Sequence, residues 1–320
     1  MALHPLVGHH QARQRLAASF RSGRLPQVIL VTGPTGIGKQ RLGLWLAQLL
    51  LCERPGEEPC GSCRPCRLVL ELCHPDLHWF VPVPRLKSGE ADKQVEEVAE
   101  LLAEAMAARR AEPFYEPPDG MSSHPLASAR LLLRRAALTP VEAARKVFLV
   151  GEAERLVPQE SSPEAANALL KLLEEPPADT WILLTTTEPE LVLPTIRSRA
   201  VPLRVSRLPA PEASRFATAT TEKADAEARA LLESVKAGRG ARFERSLKQA
   251  PWSARGGFTD LLDALASELA GRARKTPDRE AAERLTRALE RVQTARVEAQ
   301  GNVNPQLILA ALTRELAEVL

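Results

Sequence analysis

The chain has little of what marks membrane, secreted or dedicated nucleic-acid-binding proteins. No stretch approaches the about 18 uncharged apolar residues that a membrane-spanning helix requires. The first residues lack a basic region followed by an apolar run, so we expect no signal peptide and a cytoplasmic location. The net charge of +3 is too small to indicate a surface dedicated to nucleic acid. Only five cysteines occur, and in a cytoplasmic protein they indicate metal ligands or free thiols rather than disulfides.

A glycine-rich segment at residues 33–40 lacks one chemical group that its motif requires. In the phosphate-binding loop G-x-x-x-x-G-K-[S/T], backbone N–H groups surround phosphate, the lysine neutralises charge, and the final hydroxyl binds Mg²⁺. The segment contains Gly33, Gly36, Gly38 and Lys39, but Gln40 replaces the hydroxyl residue. An apolar run before it and a helical pattern after it supply the context of the motif. We predict a vestigial phosphate site, and binding of ATP or ADP there without hydrolysis stays open.

The second magnesium ligand of such ATPases is also missing. It is an Asp at the end of a later apolar strand. The best candidate strand, Lys146–Val150, runs into Gly151-Glu152 instead of Asp-Glu. Because both metal-binding side chains are absent, the sequence predicts an ATPase architecture that has been kept for something other than hydrolysis.

Helical and strand patterns alternate in the first part of the chain. Short apolar runs predict strands and longer periodic segments predict helices. The predicted strands are 27–31, 77–83, 146–150 and 181–184, and the predicted helices are 9–21, 39–51, 126–138 and one starting at Ser162-Pro163-Glu164 with Ser162 as its cap. This alternation favours a parallel sheet with both faces covered by helices.

Composition changes at a proline-rich link, residues 208–211, after which only helical patterns occur. A weaker boundary lies near Pro251. We therefore predict an α/β domain at 1–206, a small helical domain at 207–250 and a second helical domain at 251–320. Residues 84–125 fit poorly, with a polar helix near 91–110 and then a proline-rich loop, and we treat them as a surface insertion.

Four cysteines form a knuckle with the spacing C-x₇-C-x₂-C-x₂-C, at Cys52, Cys60, Cys63 and Cys66. Four soft ligands at such spacing are typical of tetrahedral Zn²⁺, and a site with four protein ligands is structural rather than catalytic. The alternative is four free thiols in a loop. Cys73 stands apart and is the one residue that could compete as a ligand.

A vestigial phosphate loop followed at once by a four-cysteine knuckle resembles the bacterial clamp-loader subunits, which are AAA+ proteins of the DNA polymerase III holoenzyme. Other segments resemble motifs of the same family, and the resemblance spans nearly the whole chain except about 84–125. These segments are His74-Pro75-Asp76, the helix at 167–177, the sensor-1-like segment 185–189, the Ser-Arg-Cys-like segment 196–200 with Ala200 in place of Cys, and the collar-helix start at 302–307. The resemblance implies an AAA+ α/β domain with a zinc knuckle, a helical lid and a helical collar, at the three predicted domains.

Within that family, Gln40 and Gly151 resemble the delta-prime subunit, whose ATP site is degenerate, more than the motor subunit. The resemblance implies a subunit without independent ATPase activity. It implies a hetero-pentamer with motor (gamma/tau) and delta subunits, which assembles a sliding clamp on primed DNA. The family's sensor-2 arginine falls at Ala241, so its role is lost or shifted to Arg242.

Arg199 is the residue to which the resemblance assigns catalysis. In the resembled complex, the arginine of the Ser-Arg-Cys motif reaches the ATP of a neighbouring subunit and stabilises transition-state charge in trans. The alternatives are an ordinary surface arginine and the neighbouring Arg197.

Two other functions fit the sequence less well. An active motor subunit of the same ring is disfavoured by Gln40 and Gly151. A free zinc-dependent nucleic-acid-binding module would need basic and aromatic residues around the knuckle. That segment has a balance of arginine and glutamate and no aromatic residue.

Overall fold

A computed structural model gives the fold of two compact units, Met1–Ala213 and Ser214–Leu320. The structure describes residues 3, 6–34, 36–87, 89–112, 122–156, 163–206, 219–249, 255–300 and 303–320. Over these residues, no helix has both the length and the apolar character needed to cross a membrane.

A five-stranded parallel sheet forms the centre of the first unit. Its strands are β1 (Val28–Thr32), β2 (Leu77–Phe80), β5 (Lys146–Val150), β6 (Thr180–Thr186) and β7 (Val201–Arg204), whereas β3 (Val83–Pro84) and β4 (Ser122–Ser123) form a separate antiparallel pair. The order across the sheet is β2-β5-β6-β1-β7. Strands β1, β5 and β6 are buried along most of their length, as expected for a parallel sheet covered on both faces, and each has a run of at least three apolar residues.

Helices cover both faces of this sheet. They are α1 (His10–Arg21), α2 (Lys39–Leu51), α3 (Arg64–Leu70), α4 (Ala91–Ala111), α5 (Leu126–Ala136), α6 (Glu164–Glu174) and the single turn α7 (Pro194–Arg197). Alternate residues of β1 belong to two different core clusters: Val28 and Leu30 pack in one, Ile29 and Val31 in the other. The two-residue period of a strand therefore builds a core on each side of the sheet.

The predicted parallel α/β architecture and its main elements are confirmed, with ends that differ by a few residues. Ser162, the predicted cap of α6, lies outside the described residues. Strand β7 was not predicted. It is short and exposed and contains Pro202, which a strand tolerates best at the edge of a sheet, where β7 lies.

The interpretation of residues 84–125 as a surface insertion was wrong for the helix inside it. Helix α4 buries Val95, Val98 and Leu102 in the same core cluster as Phe80 and Phe148. Its apolar residues follow a helical period on one face only, so the helix is polar outside and packed inside. The proline-rich stretch 113–121 lies outside the described residues.

The second unit is helical throughout its described residues, as predicted. Its helices are α8 (Ala219–Ala237), α9 (Arg239–Leu247), α10 (Arg255–Lys275), α11 (Arg279–Gln300) and α12 (Pro305–Val319). One apolar cluster joins α8 to α10, α11 and α12. Both predicted boundaries, at 207 and near Pro251, lie outside the described residues, so the division into lid and collar stays a prediction.

Candidate functional site

The glycine-rich loop connects the end of β1 to the start of α2. A Cβ on Gly33 would lie 2.3 Å from the carbonyl oxygen of Val205, so only glycine fits against the segment that follows β7. Gly38 caps α2 with φ 86°, in the left-handed region. Gly36 has a positive φ as well. The structure thus brings the four predicted loop residues together in one turn at a helix N-terminus, where backbone N–H groups suit phosphate.

Lys39 is buried and is held by its own loop. Its Nζ donates hydrogen bonds to the carbonyl oxygens of Gly33 at 2.9 Å and Pro34 at 2.7 Å. The ammonium group is therefore already solvated by peptide oxygens at the point where a phosphate-binding loop presents it to a nucleotide.

Gln40 and Gly151, at the two positions where the motif predicts magnesium-binding residues, are in contact. A Cβ on Gly151 would lie 2.8 Å from Gln40 Nε2 and 3.0 Å from Gln40 Oε1. The neutral amide thus fills the space that a side chain at position 151 would need. The two positions are far apart in the sequence, yet they form one packed arrangement.

Of the two residues that surround Gly151 most directly, sequence reasoning named Glu152 but missed His124. His124 is fully buried, its Nε2 donates to the carbonyl oxygen of Gly151 at 2.7 Å, and burial lowers its pKa to about 4. The next residue, Glu152, has a φ of 53°, and its Oε2 lies 2.8 Å from Arg155 Nε. Burial raises the pKa of Glu152, with Arg155 opposing the shift. No short motif signals His124, because its contact depends on how the 122–124 segment packs against Gly151.

The threonines at the end of β6, predicted as a sensor-1-like segment, are engaged locally. Thr187 Oγ1 donates to Glu154 Oε1 at 3.0 Å. Thr186 Oγ1 accepts from the backbone N–H of Glu188 at 3.0 Å. The first of these bonds links the end of β6 to the segment that follows β5, its neighbour in the sheet.

The four knuckle cysteines converge as predicted. Their Sγ atoms all lie within 4.8 Å of one another, and the pairs Cys60–Cys66 and Cys52–Cys63 are each 3.9 Å apart. A tetrahedral ion with a metal–sulfur distance of about 2.3 Å sets its sulfurs about 3.8 Å apart. The group therefore fits Zn²⁺.

Backbone N–H groups point at these sulfurs, which suits thiolate ligands. Cys52 Sγ accepts from the N–H of Cys60 at 3.4 Å, and Cys60 Sγ accepts from the N–H of Cys63 at 3.4 Å. The N–H groups of Cys63 and Ser62 lower the pKa of Cys60 to about 5. Donors of this kind stabilise the charged form that binds metal.

Cys73 is excluded from the cluster by its position, since it is exposed, donates to the carbonyl oxygen of Glu71 and accepts from Arg110.

The neighbouring Asp76 has a structural role. Its carboxylate accepts the backbone N–H groups of residues 141–143 at 2.5–2.8 Å. Burial would raise the pKa of Asp76, but these donors outweigh burial and lower it.

Arg199 lies just after α7 and makes an ion pair with the last residue of α6. Its Nε donates to Glu174 Oε1 at 2.8 Å, and its Nη2 contacts the same oxygen. Its Nη1 donates to the carbonyl oxygen of Thr195 at 2.8 Å. The rival Arg197 has a separate partner, Glu190, at 2.7 Å. Arg197 ends α7 and Arg199 follows it, so both arginines are far along the chain from the glycine-rich loop. Ala241 and Arg242, the two residues considered for the sensor-2 role, lie in α9 of the second unit.

Comparison with known proteins agrees with the motifs. A family model described as DNA polymerase III, delta subunit matches residues 8–209. The DNA polymerase III subunit delta' of Escherichia coli is 34% identical over 187 residues, which cover 58% of this chain and 44% of that protein. The subunit delta' of Bacillus subtilis is 30% identical over 181 residues, covering 57% and 42%. A subunit gamma/tau of Mycobacterium tuberculosis is 32% identical over 195 residues, covering 61% and 27%.

The matched part of the chain thus spans less than half of the length of each of these curated relatives. The family model itself covers more than half of the chain, from before the glycine-rich loop to beyond Arg199 and β7. It includes the loop, the cysteine knuckle and the sensor-like strand end. By this match and by its delta' relatives, the chain belongs to the DNA polymerase III delta-subunit family.

Proposed function

We propose that this chain acts as a delta-prime-type subunit of a bacterial clamp loader and does not hydrolyse ATP itself. In this role it joins motor (gamma/tau) and delta subunits in a hetero-pentamer in the cytoplasm. The assembly places a sliding clamp on primed DNA. The observation that carries the proposal is the packing of Gln40 against Gly151 in the position of the magnesium ligands.

Neither of the two positions predicted to hold Mg²⁺ carries a hydroxyl or a carboxylate, since they are Gln40 and Gly151. Phosphoryl transfer in ATPases of this class depends on Mg²⁺, which bridges phosphate oxygens and neutralises developing charge. A neutral amide stands where a hydroxyl and a carboxylate would bind the ion. Glu152, which follows Gly151 in the chain, is paired with Arg155.

The contribution of this chain to catalysis is then Arg199, given in trans to the ATP of a neighbouring motor subunit. The side chain is 28% exposed, so part of the guanidinium can reach a second protein. A planar cation with five fixed N–H donors suits the oxygens of a phosphate in its transition state.

Zn²⁺ at Cys52, Cys60, Cys63 and Cys66 is the proposed structural metal. The ion would hold the loop 52–63 against α2 and α3, and its binding would provide local folding free energy. No step of the reaction involves it, since all its ligands are protein side chains.

The first test is ATP turnover by the pure chain in the presence of Mg²⁺. We expect turnover at the background level of a Lys39→Ala variant. Robust turnover that Lys39→Ala abolishes would instead identify an active motor subunit. Equilibrium dialysis with ATP and ADP, again with Lys39→Ala as the control, measures whether nucleotide binds without turnover.

The second test is Arg199→Ala in a complex reconstituted with motor and delta subunits. An arginine finger is worth about 10³–10⁵ in rate where it is the main stabiliser, and the loss should be smaller in a ring with several ATP sites. Arg199→Lys should rescue poorly because an ammonium lacks the planar fork. Unchanged clamp- and DNA-stimulated ATPase, in a complex shown to contain the variant, would refute the role, and a loss with Arg197→Ala alone would transfer it to Arg197.

A further inference from the structure

We propose that Glu174 is a positioning residue for Arg199 and holds its guanidinium ready for the ATP of the neighbouring subunit. This inference rests on the trans role of Arg199 proposed above. Glu174 ends α6, whereas Arg199 follows α7, and the two residues are separated by 25 positions in the sequence. Their contact is therefore a product of the tertiary fold.

The hydrogen bonds of Arg199 occupy some N–H donors of its guanidinium more fully than others. Glu174 Oε1 accepts from both Nε and Nη2, and the carbonyl oxygen of Thr195 accepts from Nη1. A guanidinium has five N–H donors, two of them on Nη2. Glu174 engages one of these two, while Nη1 also lies 3.4 Å from Ser198 Oγ. Within the described residues Nη2 has no other partner, so its second donor can face a phosphate oxygen while Glu174 and Thr195 keep the fork in place.

Holding the side chain matters because arginine has many rotamers. Fixing a long, rotamer-rich side chain at an interface costs about 0.5–1.5 kcal/mol, which corresponds to roughly 2- to 13-fold in a rate or binding constant. Glu174 removes much of that cost before the neighbouring subunit arrives. The pair itself is partly exposed, 28% for Arg199 and 47% for Glu174, so it contributes little to folding stability.

The opposite role for Glu174 would be that of a competitor, which neutralises Arg199 and must be displaced by phosphate. The attachment at Thr195 favours positioning. A competing carboxylate would account for the contacts of Nε and Nη2, but a peptide oxygen that fixes Nη1 from the other side orients the fork without neutralising it.

The test uses clamp- and DNA-stimulated ATPase of the reconstituted complex, with kcat and KM for ATP measured separately. We expect Glu174→Ala to lower kcat about 3- to 10-fold, in line with the cost of ordering one side chain. Glu174→Gln should retain more activity than Glu174→Ala, because its amide oxygen still accepts from Arg199. In an Arg199→Ala background, Glu174→Ala should have no further effect on kcat.

Two controls match the change in charge. Glu175→Ala removes the next carboxylate along the chain, and Glu190→Ala removes the partner of Arg197. Both should leave kcat unchanged. Thermal unfolding and the amount of variant in the complex are measured for every protein, so that a loss of folding is recognised.

The outcomes separate this inference from the function on which it rests. If Arg199→Ala lowers kcat but Glu174→Ala leaves it unchanged or raises it, Glu174 does not position Arg199, and the trans role stands. A loss that adds to that of Arg199→Ala, or that follows thermal stability instead of kcat, also overturns the inference. If neither variant changes kcat, the trans role and the inference both fall.

Discussion

The contact between Gln40 and Gly151 predicts that the two positions are energetically coupled. In Gly151→Ala the new Cβ would lie 2.8 Å from Gln40 Nε2, well inside ordinary van der Waals contact. Overpacking of this kind costs about 1–3 kcal/mol. The atoms that clash belong to the flexible end of Gln40, which can move aside. We therefore expect a destabilisation at the lower end of that range, about 1 kcal/mol.

The same substitution should behave differently once the glutamine is shortened. In a Gln40→Ala background the space beside Gly151 opens, and Gly151→Ala should be neutral or stabilise the protein by up to about 1 kcal/mol through the unfolded state. The coupling free energy is then about 1–2 kcal/mol. For a unit of this size, about 1 kcal/mol shifts the melting temperature by about 2–4 °C.

Thermal unfolding followed by tryptophan fluorescence measures this cycle, because Trp45, Trp79 and Trp181 all lie in the first unit. Gly89→Ala is the control, since Gly89 also lies in the first unit and a Cβ there meets no heavy atom of the described structure within 4 Å. Its effect should be the same in both backgrounds. Equal shifts for Gly151→Ala with and without Gln40→Ala would show that the amide does not fill this space.

Three further predictions concern the knuckle, the buried carboxylate and the corrected helix. Elemental analysis should find that Cys63→Ser loses zinc and that Cys73→Ser keeps it, because Cys63 belongs to the four-cysteine cluster and Cys73 does not. Equal zinc content in the two variants would contradict the site. The pKa of Asp76 is lowered in the folded state, so its carboxylate stabilises the fold fully above the unfolded pKa of about 4. This stabilisation is lost as the pH falls through the folded pKa. Asp76→Asn should therefore be less stable than the parent protein at pH 7, with a gap that narrows below about pH 4 in denaturant unfolding, and a pH-independent gap would argue against this linkage. Leu102→Ala should lower the free energy of unfolding by about 2–5 kcal/mol in the same assay, because α4 packs in the core. A change below about 0.5 kcal/mol would show that α4 lies on the surface instead.

Much of the site could be predicted because its signals are local. The glycines before Lys39 and the spacing of the four cysteines are readable in short windows, and each type of residue has one physical use at such a spacing. The resemblance placed Arg199 in its motif. Sequence did not reveal that His124 contacts Gly151 or that Glu174 contacts Arg199, because each of these hydrogen bonds joins segments that are far apart in the chain.

The sequence by itself determined the alternation of strands and helices in the first unit, since the period of apolar residues sets which faces can be buried. It also placed Gln40 and Gly151 at the two positions where the motif predicts magnesium ligands, which is a matter of residue type. Only the tertiary structure decided that Gln40 packs on Gly151, that α4 enters the core and that Glu174 holds Arg199. These contacts join residues far apart in the chain, and they follow from strand order and helix packing, which local patterns do not encode.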